Sequence, residues 1–173
     1  MLENDLAMIL ARLGLATVLG LALGFERERH GHDAGLRTHA LVSLSSAMLT
    51  LSALELVEQH GEGDPVRVVQ GLAQAIGFIA GGLIFVRGGD VRNLTTAVSL
   101  WMAAAVGITA GAGQYVLMLT GTLLALILLW AVLLLERYMP KSNKQDSKDA
   151  SDDIQMPNRP GSAGRNDRAP DDL

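Results

Sequence analysis

Apolar residues in this chain fall into long blocks separated by short polar turns, unlike the spaced periodicity that wraps a soluble core. Five blocks approach or reach twenty residues, at about 6–24, 38–57, 66–86, 94–111 and 115–135. Bilayer hydrocarbon is about 30 Å thick, so a helix rising about 1.5 Å per residue needs roughly 20 apolar residues to cross it. The last block is free of charge from Gln114 to Leu135. The pattern predicts an all-α, polytopic membrane protein, a bundle of five transmembrane helices over residues 1–139.

Within the blocks, composition divides the helices. Blocks three and four are built mainly of Ala, Gly, Ile, Thr and Val, whereas block five is a leucine run. Helix interfaces in membranes favour small residues and lipid tolerates bulky ones. Helices three and four are therefore expected inside the bundle and helix five on its lipid side. Three pairs of glycines at a spacing of four, Gly20 with Gly24, Gly77 with Gly81 and Gly107 with Gly111, are expected packing positions. Block two carries Ser43, Ser45, Ser46, Thr50 and Ser52, hydroxyls that bond to helix carbonyls or across to neighbours. Gln70 and Gln74 share one face of block three, as buried glue or as a polar lining. Ahead of them Asp64 and Pro65 read as N-cap and first helical residue.

Charge then orients the bundle. Arg27, Arg29 and Arg37 lie between blocks one and two, and Arg87 and Arg92 between three and four. Arg137, Lys141, Lys144 and Lys148 follow block five, while the intervening turns hold no Lys or Arg. Basic loops stay cytoplasmic, which places the N-terminus outside and the C-terminus inside a bacterial inner membrane. From residue 140 to 173 the chain has no aromatic residue, several prolines and mixed charge, and is expected to be a disordered cytoplasmic tail. The net charge of −4 mixes that tail with the bundle and says little about partners. Block one has an acidic start at Glu3 and Asp5 and is interrupted by Arg12, so it reads as a retained span and not a leader.

Candidate chemistry is sparse. No cysteine is present, which removes disulfides, thiolate metal sites and thiol catalysis. His30, His32 and Asp33 have the residue types of a metal site, but that spacing in an exposed loop is weakly specific. No metal and no cofactor is expected. Arg12 within a span reads either as a helix-paired, snorkelling cation or as a functional intramembrane charge. The turn with Arg87, Gly88, Gly89, Asp90 and Arg92 offers backbone N–H groups beside cations, without the P-loop pattern. No spacing assembles a nucleophile, base and orienting acid, so an enzyme is not expected.

Three stretches carry a resemblance: GFERERHGHDAGLRTHALVSLSSA, DPVRVVQG, and GFIAGGLIFVRGGDVRNLTTAVSLWMAAAVGITAGAG. Together they resemble the MgtC/SapB family of bacterial inner-membrane proteins across nearly all of residues 20–113. The resemblance implies a five-span hydrophobic domain and a non-enzymatic role linked to magnesium limitation. It also implies contact with another membrane complex such as the ATP synthase. Thr95 and Met102 depart from the Asn and Cys of virulence-associated members, and the expected tail stands where MgtC-type members append a folded domain, so the SapB-like subgroup is the nearer match. By resemblance, Glu26, Arg29, Arg37, Thr38 and His39 are expected to form a cytoplasmic polar cluster with Arg92, Asn93, Thr95 and Thr96. Expected partners are the lipid bilayer, that membrane complex and further copies of the chain, with no nucleic acid. The alternative is a small oligomeric, magnesium-related ion transporter or channel.

Overall fold

The computed structural model describes residues 2–87 and 90–138. In chain order it contains α1 (Leu2–Arg29), α2 (Leu36–His60), α3 (Pro65–Leu83), β1 (Phe85–Arg87), β2 (Asp90–Arg92), α4 (Leu94–Gly111) and α5 (Tyr115–Tyr138). Four helices, taken as Leu6–Arg29, Leu36–His60, Pro65–Leu83 and Leu94–Gly111, are long and apolar enough to cross a membrane. Helix α5 has 24 residues, about 36 Å at the usual helical rise, and is apolar throughout 115–131. The fold is the expected bundle of five transmembrane helices. The predicted tail lies outside the described residues, as do Gly88 and Gly89.

Local chemistry sets the boundaries. Helix α1 runs past Gly24 because Glu26, Arg27, Glu28 and Arg29 are good helix formers with no breaker among them. It stops before Gly31, whose φ of 72° suits glycine. Helix α2 has Gly35 at its N-cap and no acid in its first turn. The carboxylate of Glu28 supplies the missing cap, accepting from Leu36 N–H at 2.9 Å. Asp64 caps α3 as expected, accepting from Val66 N–H at 2.9 Å, with Pro65 opening the helix. Asp64→Ala is expected to lower stability by about 1 kcal/mol. The midpoint of unfolding in a mixed-detergent titration measures it, and an unmoved midpoint would show the cap to be idle.

The third span is shorter than its apolar block. Helix α3 ends at Leu83, and Phe85 and Val86 instead belong to an antiparallel hairpin pairing Phe85 with Arg92, Val86 with Val91 and Arg87 with Asp90. Aromatic and β-branched residues favour strands, and Gly-Gly is among the dipeptides that short hairpin connections select. Asn93 then turns the chain into α4 with a φ of 63°, a left-handed conformation that asparagine tolerates better than most residues.

Helices α1, α2 and α4 form the core around Ala16, Leu23, Ala47, Ala103, Val106 and Ala110, with Met118 of α5 closing it. Two of the three glycine pairs lie at its seams. A Cβ at Gly20 would fall 2.8 Å from His39 O, and one at Gly24 would fall 2.7 Å from Leu36 Cα, so α1 and α2 touch backbone to backbone. Gly107 and Gly111 meet the Ser43 and Ala47 carbonyls of α2 in the same way. Gly77 and Gly81 form no such seam: a Cβ at Gly77 would meet only Trp101, and one at Gly81 nothing within 4 Å.

Helix α3 departs from expectation with that pair. In α4, 56% of the residues are buried, whereas in α3 only 17% of the apolar window is, with Leu72, Ile76 and Ala80 turned inward. The central helix is α4 alone. Small residues surround α4 and let it nest against α2, while those of α3 lie largely on the side away from the bundle. Gln70 and Gln74 are likewise exposed, neither buried glue nor the lining of an interior path. Helix α5 lies at the periphery as expected, with Val116, Leu123, Leu124, Ile127 and Leu128 outward and Met118 and Thr122 inward.

Candidate functional site

At the end of the bundle where α1 hands over to α2 and the hairpin enters α4, buried polar residues interlock. Arg27 follows Ala16, Gly20 and Leu23 at helical spacing, so its face of α1 is the core face. It is 4% exposed, and its Nη2 donates to Thr95 Oγ1 at 3.1 Å and Thr96 Oγ1 at 3.3 Å. Glu26, also 4% exposed, has Oε1 3.2 Å from His30 Nδ1, which bonds the Glu26 carbonyl at 2.8 Å, while its Oε2 has no partner. Arg27 Nε is similarly unpartnered.

His39 is fully enclosed, with Nδ1 2.9 Å from Gly35 O and Nε2 3.0 Å from Ser99 Oγ. A carbonyl can only accept, so Nδ1 carries the proton and donates to Gly35. In the neutral ring Nε2 then accepts from the Ser99 hydroxyl, for which Thr96 O at 2.8 Å competes. The chain α1–Thr96–Ser99–His39–α2 thus ties three helices together. Asn93 adds a further tie, its Nδ2 donating to Asp33 Oδ2 at 2.6 Å across from the α1–α2 loop.

Of the residues expected here, Glu26, His39, Asn93, Thr95 and Thr96 come together at this end. Arg29, Arg37, Thr38 and Arg92 occupy the same end but are exposed and lie outside the buried network. Sequence reasoning missed Arg27, Glu28, Asp33 and Ser99. Continuing the α1 periodicity beyond Gly24 would have found Arg27, because it lies four residues after the buried Leu23. Ser99 shares the inward face of α4 with Thr96, Ala103 and Val106. Among the described residues, no group of His, Asp and Glu is placed to hold a metal ion, and His30, His32 and Asp33 do not converge.

The opposite end has a simpler contact. Arg12 Nη1 donates to Gly111 O at 2.9 Å, placing a cation at the C-terminus of α4, where the helix dipole is negative. This is the helix-paired reading of that residue. What the arrangement does chemically is hold helices: Arg27, His39, Asn93 and Ser99 each bond a residue of another element, while Glu26 Oε2 and Arg27 Nε are among the buried polar atoms without a partner.

Comparison with known proteins supplies the rest. No solved structure matches the chain. The chain is 37% identical over 128 residues to "Putative magnesium transporter YhiD" of Escherichia coli strain K12, covering 71% of this chain and 60% of that one. It is 42% identical over 113 residues to Protein MgtC of Brucella abortus, covering 65% and 46%, and 35% identical over 113 residues to Protein SapB of Bacillus subtilis, covering 62% and 49%. The chain thus spans about half the length of the curated relatives it matches. These identities do not favour SapB over MgtC, so the assignment is made at the level of the family. The MgtC family matches residues 13–138, from within α1 to the end of α5, and this bacterial membrane protein belongs to it.

Proposed function

We propose that the protein is a non-enzymatic membrane protein that acts by contact with another membrane complex during magnesium limitation. One observation carries the reading: polar residues at the α1–α2 and α4 junction divide into a buried latch and an exposed arginine set. Arg27, Thr96, Ser99 and His39 are joined by hydrogen bonds that fix three helices, with Glu26 buried beside them, while Arg29, Arg37 and Arg92 remain exposed at the same end. A rigid end presenting exposed cations suits docking. The Lys and Arg distribution supports a cytoplasmic position for that end in an inner-membrane protein, with the N-terminus outside. By family resemblance, the ATP synthase is the first partner to test.

Because Arg37 and Arg92 are exposed, replacing both with Ala leaves the buried latch untouched. The double variant is expected to reach the membrane in normal amounts, to stop retaining ATP synthase subunits in pull-downs, and to grow at low magnesium no better than a deletion strain. Normal growth at normal abundance would remove the arginine set from the function.

A second reading has its own support. The name of the YhiD relative points to magnesium transport, and Glu26 is a buried carboxylate with an unpartnered oxygen at the end of a span. Against it, the α1–α2 and α2–α4 seams are closed by backbone contacts at Gly20, Gly24, Gly107 and Gly111. Protein-dependent magnesium uptake into proteoliposomes would decide for transport.

A further inference from the structure

The outward side of α3 differs from those of α4 and α5. On α5 that surface is Val116, Leu123, Leu124, Ile127 and Leu128, and on α4 it includes Leu94, Val98 and Trp101. On α3, opposite the buried Leu72, Ile76 and Ala80, it is Arg67, Gln70, Gly71, Gln74, Phe78 and Gly81, all exposed. Gln74 is the middle residue of the 19-residue helix, so it lies at the depth of the bilayer centre.

Two hydroxyls on the outside of other helices satisfy themselves. Ser45 donates to Val42 O at 3.1 Å, and Thr120 to Val116 O at 2.7 Å, each within its own helix. A primary amide has two hydrogens and two lone pairs, and its own helix cannot use them all. In hydrocarbon no water takes the remainder.

We propose that α3 is the contact between two copies of this chain, with Gln74 of each copy bonding Gln74 of the other about a two-fold axis. An amide is donor and acceptor at once, so it is its own complement across such an axis, and the interface closes as a dimer. Gly71 and Gly81 flank it on the same face, and a Cβ at either would meet nothing within 4 Å in the single chain. They leave the room that close helix approach requires. Phe78, 84% exposed, lies beside them as the apolar contact. The proposal depends on α3 being in the membrane and not on the identity of any partner complex.

The chain has no cysteine, so a single introduced thiol reports on one position. Gly81→Cys in native membranes is expected to cross-link two copies on mild oxidation, and Leu128→Cys on α5 is not. In liposomes, energy transfer between donor-labelled and acceptor-labelled copies is expected to show dimers that dissociate on lipid dilution. Gln74→Leu should weaken them roughly tenfold, the order expected of paired amide bonds in a bilayer. Gly71→Leu should do the same, and since a Cβ at Gly71 meets nothing within 4 Å in the single chain, the protomer's unfolding midpoint should not fall. Equal cross-linking at positions 81 and 128, or unchanged energy transfer for Gln74→Leu, would overturn the dimer. So would monomers that lose only a different protein when Gln74 is changed.

Discussion

Gly107→Ala is expected to cost about 3 kcal/mol, the upper end of overpacking penalties, although it adds a single methyl group and alanine is the better helix former. The new Cβ would collide with the backbone carbonyl of Ser43 and come within 2.8 Å of Ser46 Cβ. A side chain in the way could rotate aside; a carbonyl inside α2 cannot move without its helix. The two helices must therefore part along a seam that continues to Gly111, where a Cβ would lie 2.5 Å from Ala47 O. Parting also strips packing from the buried hydroxyls of Ser43 and Ser46, which have no hydrogen-bond partner to hold them. Gly14→Ala is the control, because its Cβ would meet nothing within 4 Å. That variant should be unchanged or more stable by up to about 1 kcal/mol. Unfolding midpoints in a mixed-detergent titration measure both, and equal midpoints for the two would show that the α2–α4 seam is not closed by backbone contact.

The helices were legible in the sequence because a membrane span needs only length and apolarity, both of which are one-dimensional. Asp64 and Pro65 were legible for the same reason, since a cap acts within three residues of itself. Neighbour choice was not. Gly77 and Gly81 have the same spacing as Gly107 and Gly111, yet only the second pair meets another backbone. Spacing defines a face and does not say what the face meets. For α3 the deciding signal was present in Gln70 and Gln74, two amides on the face that carries the small residues, and reading those small residues as an interior face placed the helix too deep. The site divided along similar lines. Resemblance found the region, but stopping α1 at Gly24 hid Arg27, whose helical position beyond Leu23 decides that it is buried while Arg29 is not.

The same division explains why this end can be both rigid and available. Four ties cross between elements there: Arg27 to α4, His39 to Ser99, Asn93 to Asp33 and Glu28 to the start of α2. Each joins segments distant in sequence or separated by a loop, so the ends of α1, α2 and α4 are fixed together. Arg29, Arg37 and Arg92 are free to meet a partner without any of these ties breaking.

Arg27→Met is expected to be the most damaging change in the latch, lowering stability by about 3 kcal/mol. Two opposing effects decide the sign. Exchanging a buried cation for an apolar side chain of similar length removes a desolvation cost and can by itself be neutral. The groups left behind do not benefit. Thr95 and Thr96 are in the first turn of α4, where no helical carbonyl lies one turn back to take their hydroxyls. Glu26 would remain buried with its neighbouring cation gone, and an uncompensated buried charge costs about 3–5 kcal/mol. Glu26→Gln in the same chain should then restore part of the loss, so that the double variant is more stable than Arg27→Met alone. A double-mutant cycle on unfolding midpoints measures the coupling. If Glu26→Gln deepens the loss instead, the two charges do not balance each other, and the latch rests on the threonine bonds alone.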